Sequence, residues 1–215
     1  MQLNIAVDGP AGSGKSTVAK AVADKLKITY LDTGAMYRMV TLNALKEQVN
    51  FDDLDAIKSI LDKIDIQFKD HGLYLNGEDV TLAIRTNQVA NHVSQIAALA
   101  CVREKLVEMQ QAIAQGQDII MDGRDIGTHV LPEAKYKFFL VASVEERARR
   151  RMKDFVEQDI KISMEDLIKD IEMRDYKDSN RQVSPLKQAE DAILIDTTKM
   201  SIQDVIDFII EEIQS

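Results

Sequence analysis

The stretch GPAGSGKST, residues 9–17, constrains the fold of this 215-residue chain more than any other feature. It follows the apolar run LNIAVDG and opens the segment KSTVAKAVADKL, in which apolar residues recur at helical spacing. The pattern GxxxxGK followed by Ser or Thr, placed between a strand and a helix, is typical of a loop that cradles the phosphates of a nucleoside triphosphate. A glycine-rich connecting turn is the alternative, and the match of pattern and context disfavours it.

Every residue type in this loop has a chemical role. The glycines allow backbone N–H groups to turn toward phosphate oxygens, Lys15 reaches the β and γ phosphates, and the Ser16 hydroxyl ligates Mg²⁺. A guanine-nucleotide switch is disfavoured, because the sequence has no NKxD and DxxG elements in the expected order. We therefore predict that an Mg-nucleoside triphosphate binds at Gly9, Pro10, Ala11, Gly12, Ser13, Gly14, Lys15, Ser16 and Thr17.

The pattern of apolar runs predicts a parallel sheet with covering helices. The second predicted strand, ITYLD, precedes the helical segment GAMYRMVTLNALKE. Three short alternating segments then predict an inserted antiparallel meander: IDIQFKD, HGLYLNG and EDVT. Two helical segments follow, and the remaining strands are DIIMDGRD, KYKFFLVAS and AILIDTT. The sequence therefore predicts an α/β fold with a doubly wound parallel five-stranded sheet, whose ligand site lies at the carboxyl ends of the strands.

Composition limits the partners and the compartment. The formal net charge of −9 disfavours a protein that binds long stretches of nucleic acid, since such binding depends on Lys and Arg neutralising phosphates. Cys101 is the only cysteine, so neither an internal disulfide nor a cysteine-based metal cage is available. No apolar stretch has the length of a membrane span. We expect a cytoplasmic monomer with small-molecule substrates and with neither a nucleic acid nor a membrane as partner.

Two further motifs lie at predicted strand ends. In DGRD, Asp122 is placed to bind Mg²⁺ through water, while Arg124 and Asp125 project beyond the edge of the sheet. In LDTGAMYR, Tyr37 and Arg38 reach the same edge. The alternatives are a solvated turn for DGRD and a capped helix start for LDTGAMYR, and the residues alone leave the second alternative open.

The segment VEERARRRMKDF carries a run of arginines. Helical spacing places Arg147, Arg150 and Arg151 on one helix face, where they would close on the γ phosphate as one arm of a lid. The alternative is a solvated helix whose arginines pair with Glu145 and Glu146.

Five motifs together resemble the bacterial cytidylate kinases, in order and across nearly the whole chain: GPAGSGKST, LDTGAMYR, NQVANHVSQIAALACVRE, DGRDIGT and RDYKDSNRQVSPL. The resemblance implies one P-loop nucleoside monophosphate kinase domain over residues 1–215. Within it, residues 63–100 would form a small inserted CMP-binding subdomain and residues 144–180 a helical lid. The implied reaction transfers the γ-phosphoryl group of ATP to CMP or dCMP, with Mg²⁺ as cofactor.

The resemblance also implies a set of CMP contacts. The acceptor phosphate would contact Thr33, which stands where the family often has serine, together with Tyr37, Arg38, Arg124 and Arg181. Cytosine would contact Ser94, Arg103 and Asp125, and the pentose would contact Arg174 and Asp178. The chemistry agrees, since a carboxylate at position 125 accepts from the exocyclic amino group of cytosine and repels the oxygen that uracil has there.

The proposed chemistry needs no general base. A nucleoside monophosphate is largely dianionic near neutral pH because its second pKa is about 6. Charge neutralisation would carry the transfer, with Lys15, Arg124, Arg147 and Arg151 as catalytic residues and Arg150 as an ATP contact. Two alternatives remain: a P-loop kinase of another small anionic acceptor, and a non-catalytic nucleotide sensor.

Overall fold

The computed structural model describes residues 2–69, 72–157 and 162–215, apart from the side chains of residues 154, 156 and 157. The chain divides into two compact units, Met1–Asp32 with Ala114–Ser215, and Thr33–Ile113. The predicted insertion of 63–100 includes residues 70–71, and the predicted lid of 144–180 includes residues 158–161, all of which lie outside the described residues. Both sets of boundaries stay predictions.

The first unit contains a five-stranded sheet in which every pairing is parallel. Its strands are β1 (Asn4–Asp8), β2 (Thr29–Asp32), β6 (Ile119–Gly123), β7 (Tyr136–Val141) and β8 (Ile193–Asp196). The spatial order β2-β6-β1-β7-β8 puts β1 in the centre: the chain crosses from β1 to the edge strand β2, returns to β6 between them, and then continues to β7 and β8 on the other side of β1. This is the topology of a doubly wound sheet, so the predicted fold class is confirmed.

Four helices and one short turn complete this unit. The helices are α1 (Lys15–Leu26), α6 (Val144–Glu157), α7 (Met164–Asn180) and α8 (Ile202–Gln214), and a π-helical turn spans Ile126–Val130. Helices α1 and α8 pack together, and their buried residues join the apolar strand residues in one core, which includes Val18, Val22, Ile209, Ile5 and Phe138. Helices α6 and α7 share a smaller core around Ala148, Leu167 and Ile171.

The register of the sheet brings acidic strand ends together. Asp32 at the end of β2 pairs with Asp122 in β6, and Asp8 at the end of β1 pairs with Gly123. Because all five strands run in the same direction, these carboxyl ends share one edge of the sheet. Ligands of doubly wound folds bind outside this edge, so the polar residues found there are the first candidates for a site.

The second unit contains the predicted meander. Its strands, β3 (Ile66–Lys69), β4 (Gly72–Leu75) and β5 (Glu78–Asp79), pair antiparallel in that order. Asn76 and Gly77 adopt positive φ angles of 52° and 83° in the turn between the last two strands, which is the backbone that an Asn-Gly hairpin turn favours. The other elements are α2 (Thr33–Lys46), α3 (Leu54–Leu61), a 3-10 turn (Ala83–Arg85), α4 (Asn87–Ile96) and α5 (Ala100–Ala114).

Helix α3 is not among the predicted elements, and α7 is predicted only as part of a helical lid over residues 144–180, although each begins with a recognisable cap. The side chain of Asp53 accepts a hydrogen bond from Ala56 N at 3.0 Å, and that of Ser163 accepts one from Asp166 N at 3.0 Å. The π-helical turn after Gly123 is likewise unpredicted. Within the described ranges, no helix combines the length and the apolar character that crossing a membrane requires.

Candidate active site

The loop after β1 has the backbone that its glycines predict. Gly12 and Gly14 adopt φ angles of +79° and +89°, which side chains with a Cβ rarely tolerate, and a Cβ on Gly9 would lie 2.1 Å from the carbonyl oxygen of Leu140. Gly14 is the N-cap of α1 and has no side chain to cap the helix. The first backbone N–H groups of α1 therefore remain available to an anion at the helix N-terminus.

Lys15 is held inside this loop. Its side chain is buried, and Nζ donates a hydrogen bond to the carbonyl oxygen of Pro10 at 3.2 Å. Burial, followed by the charge of the nearby guanidinium of Arg124, lowers the pKa of Lys15 to about 7 against the opposite effect of Asp122. Without an anionic ligand this lysine is only partly charged at neutral pH, so a bound polyphosphate would restore its full charge.

Ser16, Asp122 and Tyr30 form a hydrogen-bonded group at the strand ends. Ser16 Oγ donates to Asp122 Oδ2 at 2.6 Å, and the Tyr30 hydroxyl donates to Asp122 Oδ1 at 2.8 Å. Burial, followed by the charge of Asp32, raises the pKa of Asp122 to about 6. The oxygens of Ser16 and Asp122 therefore lie close enough together to face one hard cation.

The arginines of α6 are divided among several partners. Arg147 is buried, and its guanidinium donates to the carbonyl oxygens of Ala142 and Ala11, both at 3.1 Å, and to Asp175 at 2.6 Å. Through these bonds, Arg147 links the phosphate loop to α7. In this conformation, a phosphate could make the predicted contact with Arg147 only by displacing the carboxylate of Asp175.

Arg150 also contacts the phosphate loop. Its Nη1 donates to the carbonyl oxygen of Ser13 at 3.4 Å, and its Nη2 donates to that of Thr197 at 2.8 Å. The guanidinium of Arg151 instead lies over the ring of Phe155, 5.3 Å from the ring centroid. Of the three predicted lid arginines, two therefore bond to loop carbonyls and one packs on its own helix.

Half of the predicted CMP contacts lie in the first unit and form two acid–base pairs. Arg124 Nε donates to Asp178 Oδ2 at 2.9 Å, and Arg181 Nη2 lies 3.6 Å from Asp125 Oδ1. Burial raises the pKa of Asp178, but the charges of Arg124 and Arg174 outweigh it and hold that pKa below its usual value. Arg174 also acts on Lys15, so both sides of the predicted reaction share one electrostatic cluster.

The other predicted CMP contacts lie in the second unit. Arg103 is buried in α5, where its guanidinium stands 5.2 Å from the ring centroid of Tyr37 and donates to the carbonyl oxygen of Ala97 at 3.1 Å. Arg38 donates to the carbonyl oxygen of Ile84 at 3.3 Å. Thr33 is buried at the start of α2, and Ser94 is half-buried on α4.

A model of the family described as cytidylate kinase matches residues 5–215. The chain belongs to the cytidylate kinase family. A cytidylate kinase from Clostridium botulinum is 51% identical over 207 residues, which cover 96% of this chain and 95% of that protein. One from Streptococcus pneumoniae is 54% identical over 210 residues, or 95% of this chain and 94% of the relative. The resemblance inferred from the motifs is confirmed.

A solved structure supports the fold independently of these relatives. The shikimate kinase from Bacteroides thetaiotaomicron superposes with a TM-score of 0.53 and covers 100% of both chains at 13% sequence identity. At that identity the likeness speaks for the fold alone.

In this member of the cytidylate kinase family, four polar residues join the site without having been predicted. Asp32 and Tyr30 act on Asp122, Asp175 pairs with Arg147, and the Thr197 hydroxyl donates to Ser13 O at 3.2 Å. A signal existed for Asp32 and Thr197, since each lies at or directly after the carboxyl end of a parallel strand. Tyr30 and Asp175 carry no comparable signal, because their partners are distant in sequence.

Proposed function

We propose that this chain transfers the γ-phosphoryl group of ATP to CMP or dCMP, giving ADP and CDP or dCDP. Its relatives at about 50% identity are named cytidylate kinases. The observation that carries the proposal is the hydrogen bond of 2.6 Å from Ser16 Oγ, in the phosphate loop, to Asp122 Oδ2, because Arg124, a predicted acceptor contact, lies two residues after Asp122. This bond joins the donor loop to a strand end that carries a predicted acceptor residue, which is what transfer between two polyanions requires.

The donor side fits a magnesium-bound triphosphate. Ser16 Oγ and, through water, the carboxylate of Asp122 would hold Mg²⁺, which prefers oxygen ligands and keeps several waters when it binds with substrate phosphates. When bound, Mg²⁺ neutralises charge on the β and γ phosphates. Ser13 Oγ is buried and has no hydrogen-bond partner among the described residues, and a phosphate oxygen would supply one.

On the acceptor side, we propose that charge and hydrogen bonding select cytosine. Asp125 would accept from the exocyclic amino group, and Arg103 would donate to the ring acceptors. Arg124 and Arg181 would then exchange their present carboxylate partners, Asp178 and Asp125, for the acceptor phosphate, and Asp125 would turn to the base. UMP would leave polar groups of the site unpaired, which is the strongest available basis for discrimination.

We further propose that residues 63–100 bind CMP as a subdomain and that residues 144–180 close as a lid. Arg147 and Arg151 would supply positive charge to the transferring phosphoryl group, with Arg150 on the donor. Closure only when both nucleotides are bound would exclude water, so ATP hydrolysis without CMP is expected to be slow. We also propose that the chain works as a cytoplasmic monomer, which sedimentation of the purified protein would test.

An acceptor panel tests the proposed reaction. ADP release is measured with ATP, Mg²⁺ and CMP, dCMP, UMP or AMP, with the Lys15→Met variant as a matched control for contaminating activity. We expect rapid turnover of CMP and dCMP, and little with UMP, with AMP or without acceptor. Equal turnover of UMP would contradict the base-reading role. Nucleotide binding without any turnover would indicate a sensor and not a kinase.

A further inference from the structure

Asp8 forms a bidentate contact that the proposed mechanism does not use. It is the last residue of β1 and directly precedes Gly9, the first glycine of the phosphate loop. Its side chain is 4% exposed. Oδ1 accepts a hydrogen bond from the backbone N–H of Ile126 at 2.9 Å, and Oδ2 accepts one from that of Gly127 at 2.8 Å. The two partners lie more than a hundred residues away in sequence.

The segment that Asp8 binds directly follows Arg124 and Asp125. Ile126 and Gly127 begin the π-helical turn, whose amides also bond back to Asp125: its carbonyl oxygen accepts from His129 N at 2.9 Å. The approach at Gly127 is close, since a Cβ there would lie 3.2 Å from Lys137 Cδ and 3.5 Å from Asp8 Oδ2. The backbone on the carboxyl side of Arg124 and Asp125 is therefore fixed by Asp8.

Burying a carboxylate costs free energy, so stability alone does not explain why a carboxylate makes this contact. Burial raises the pKa of Asp8 to about 6, even though the two backbone N–H bonds act in the opposite direction. Buried ionic groups are often replaceable as a set by well-packed apolar residues without loss of stability, so a buried charge at this position favours a role in holding one specific geometry. Here the carboxylate supplies two oxygens to two adjacent amides, which no neutral side chain does.

We propose that Asp8 is a positioning residue for acceptor recognition, which fixes the Arg124–Asp125 segment against the start of the phosphate loop. The inference rests on the proposed function and adds to it a specificity role for a residue that precedes the donor loop. Asp8 would act through Asp125 and Arg124, and it touches neither substrate. The discrimination between CMP and UMP should therefore depend on Asp8, although Asp8 is not in contact with the base.

The variant Asp8→Asn tests this role, because it preserves the shape of the side chain and replaces one acceptor oxygen by a donor. We expect the Michaelis constant for CMP to rise about tenfold, and the CMP-over-UMP ratio of kcat/KM to fall by about the same factor. Two control variants in the core of α8, Ile209→Val and Ile209→Ala, provide a smaller and a larger loss of thermal stability with which the loss in Asp8→Asn is compared. If either control, at equal loss of stability, lowers the ratio as much as Asp8→Asn, the positioning role is wrong.

A double-mutant cycle shows whether Asp8 acts through Asp125. In an Asp125→Asn background, we expect Asp8→Asn to cause no further fall in the CMP-over-UMP ratio. A full additional fall would contradict the proposal. Amide hydrogen exchange gives a readout that is independent of catalysis: exchange at Ile126 and Gly127 should accelerate in Asp8→Asn, and unchanged protection would overturn the proposal. Failure of wild-type protein to phosphorylate CMP would instead count against the proposed function.

Discussion

Proton uptake on ATP binding is the expected consequence of the buried position of Lys15 in the proposed donor site. Burial and the charge of Arg124 depress its pKa from 10.5 to about 7, which corresponds to on the order of 5 kcal/mol. A bound triphosphate would supply opposite charge and hydrogen-bond acceptors, and these raise the pKa of a lysine. At pH 8 a group with a pKa of about 7 is about 10% protonated, so full charging takes up about 0.9 proton per nucleotide. The uptake falls to about 0.5 proton at pH 7 and about 0.1 at pH 6.

Isothermal titration calorimetry measures this uptake. The enzyme is titrated with a non-hydrolysable ATP analogue and Mg²⁺ at pH 8, in two buffers that differ in ionisation enthalpy. The pH is chosen because Asp8 and Asp122, whose pKa values are about 6, are already ionised there. The slope of the apparent enthalpy against the buffer enthalpy gives the number of protons taken up.

The matched control is Lys15→Arg, whose guanidinium stays charged and has no proton to take up. We expect the wild type to take up about 0.9 proton at pH 8, and uptake in the control to stay near zero at the same pH. Zero uptake by the wild type at pH 8 would refute the reasoning, because it would mean that Lys15 is fully protonated before ATP arrives. Equal uptake by Lys15→Arg would assign the proton to a different group.

Three further predictions concern residues around the phosphate loop. Thr197→Val removes the hydroxyl that donates to Ser13 O, so the Michaelis constant for ATP should rise about fivefold in steady-state assays, with Thr197→Ser close to wild type. Asp175→Asn weakens the bond to the buried Arg147, and chemical denaturation should show a loss of about 1–3 kcal/mol. The folded-state pKa of Asp122 is raised from 3.8 to about 6, so the nucleotide-free wild type should lose about 2 kcal/mol of stability relative to Asp122→Asn as pH rises from 4 to 6. A pH-independent difference between these two proteins would contradict the raised pKa.

The sequence predicts well where local patterns and chain direction decide the structure. The glycine pattern predicts the loop backbone at Gly12 and Gly14, and the alternation of apolar runs predicts all five parallel strands. Because parallel strands share one carboxyl edge, the placement of Asp122 at the end of its strand follows from the order of elements alone. The hairpin turn at Asn76 and Gly77 is a similar case, since its positive φ angles belong to those residue types.

The sequence predicts poorly where a contact joins distant residues. Asp8 bonds to Gly127, which is 119 residues away, and Thr197 bonds to Ser13, which is 184 residues away. No spacing rule indicates such pairs. Arg147 shows the same limit in another form: helical spacing places it on the basic face of α6, but only the packing of α7 and the loop shows that carbonyl oxygens and Asp175 occupy its donors. A role that is assigned to a residue from helical spacing can therefore be tested only when its partners in the folded structure are known.

The pairing of cations with internal acids suggests how the first unit tolerates its charge without substrates. Arg124 bonds to Asp178, Arg147 bonds to Asp175, and Lys15 interacts with Asp122. Each substrate phosphate must displace or outcompete one of these carboxylates, so part of the gross attraction is offset in the ground state. The attraction between the cations and the substrates increases in the transition state, because negative charge then spreads over the transferring phosphoryl group. A single carboxylate of the protein cannot match that distribution of negative charge. The cost of displacing an internal acid would be shared by substrate and transition state, so only the part of the attraction that grows as charge spreads over the transferring phosphoryl group would raise the rate of transfer.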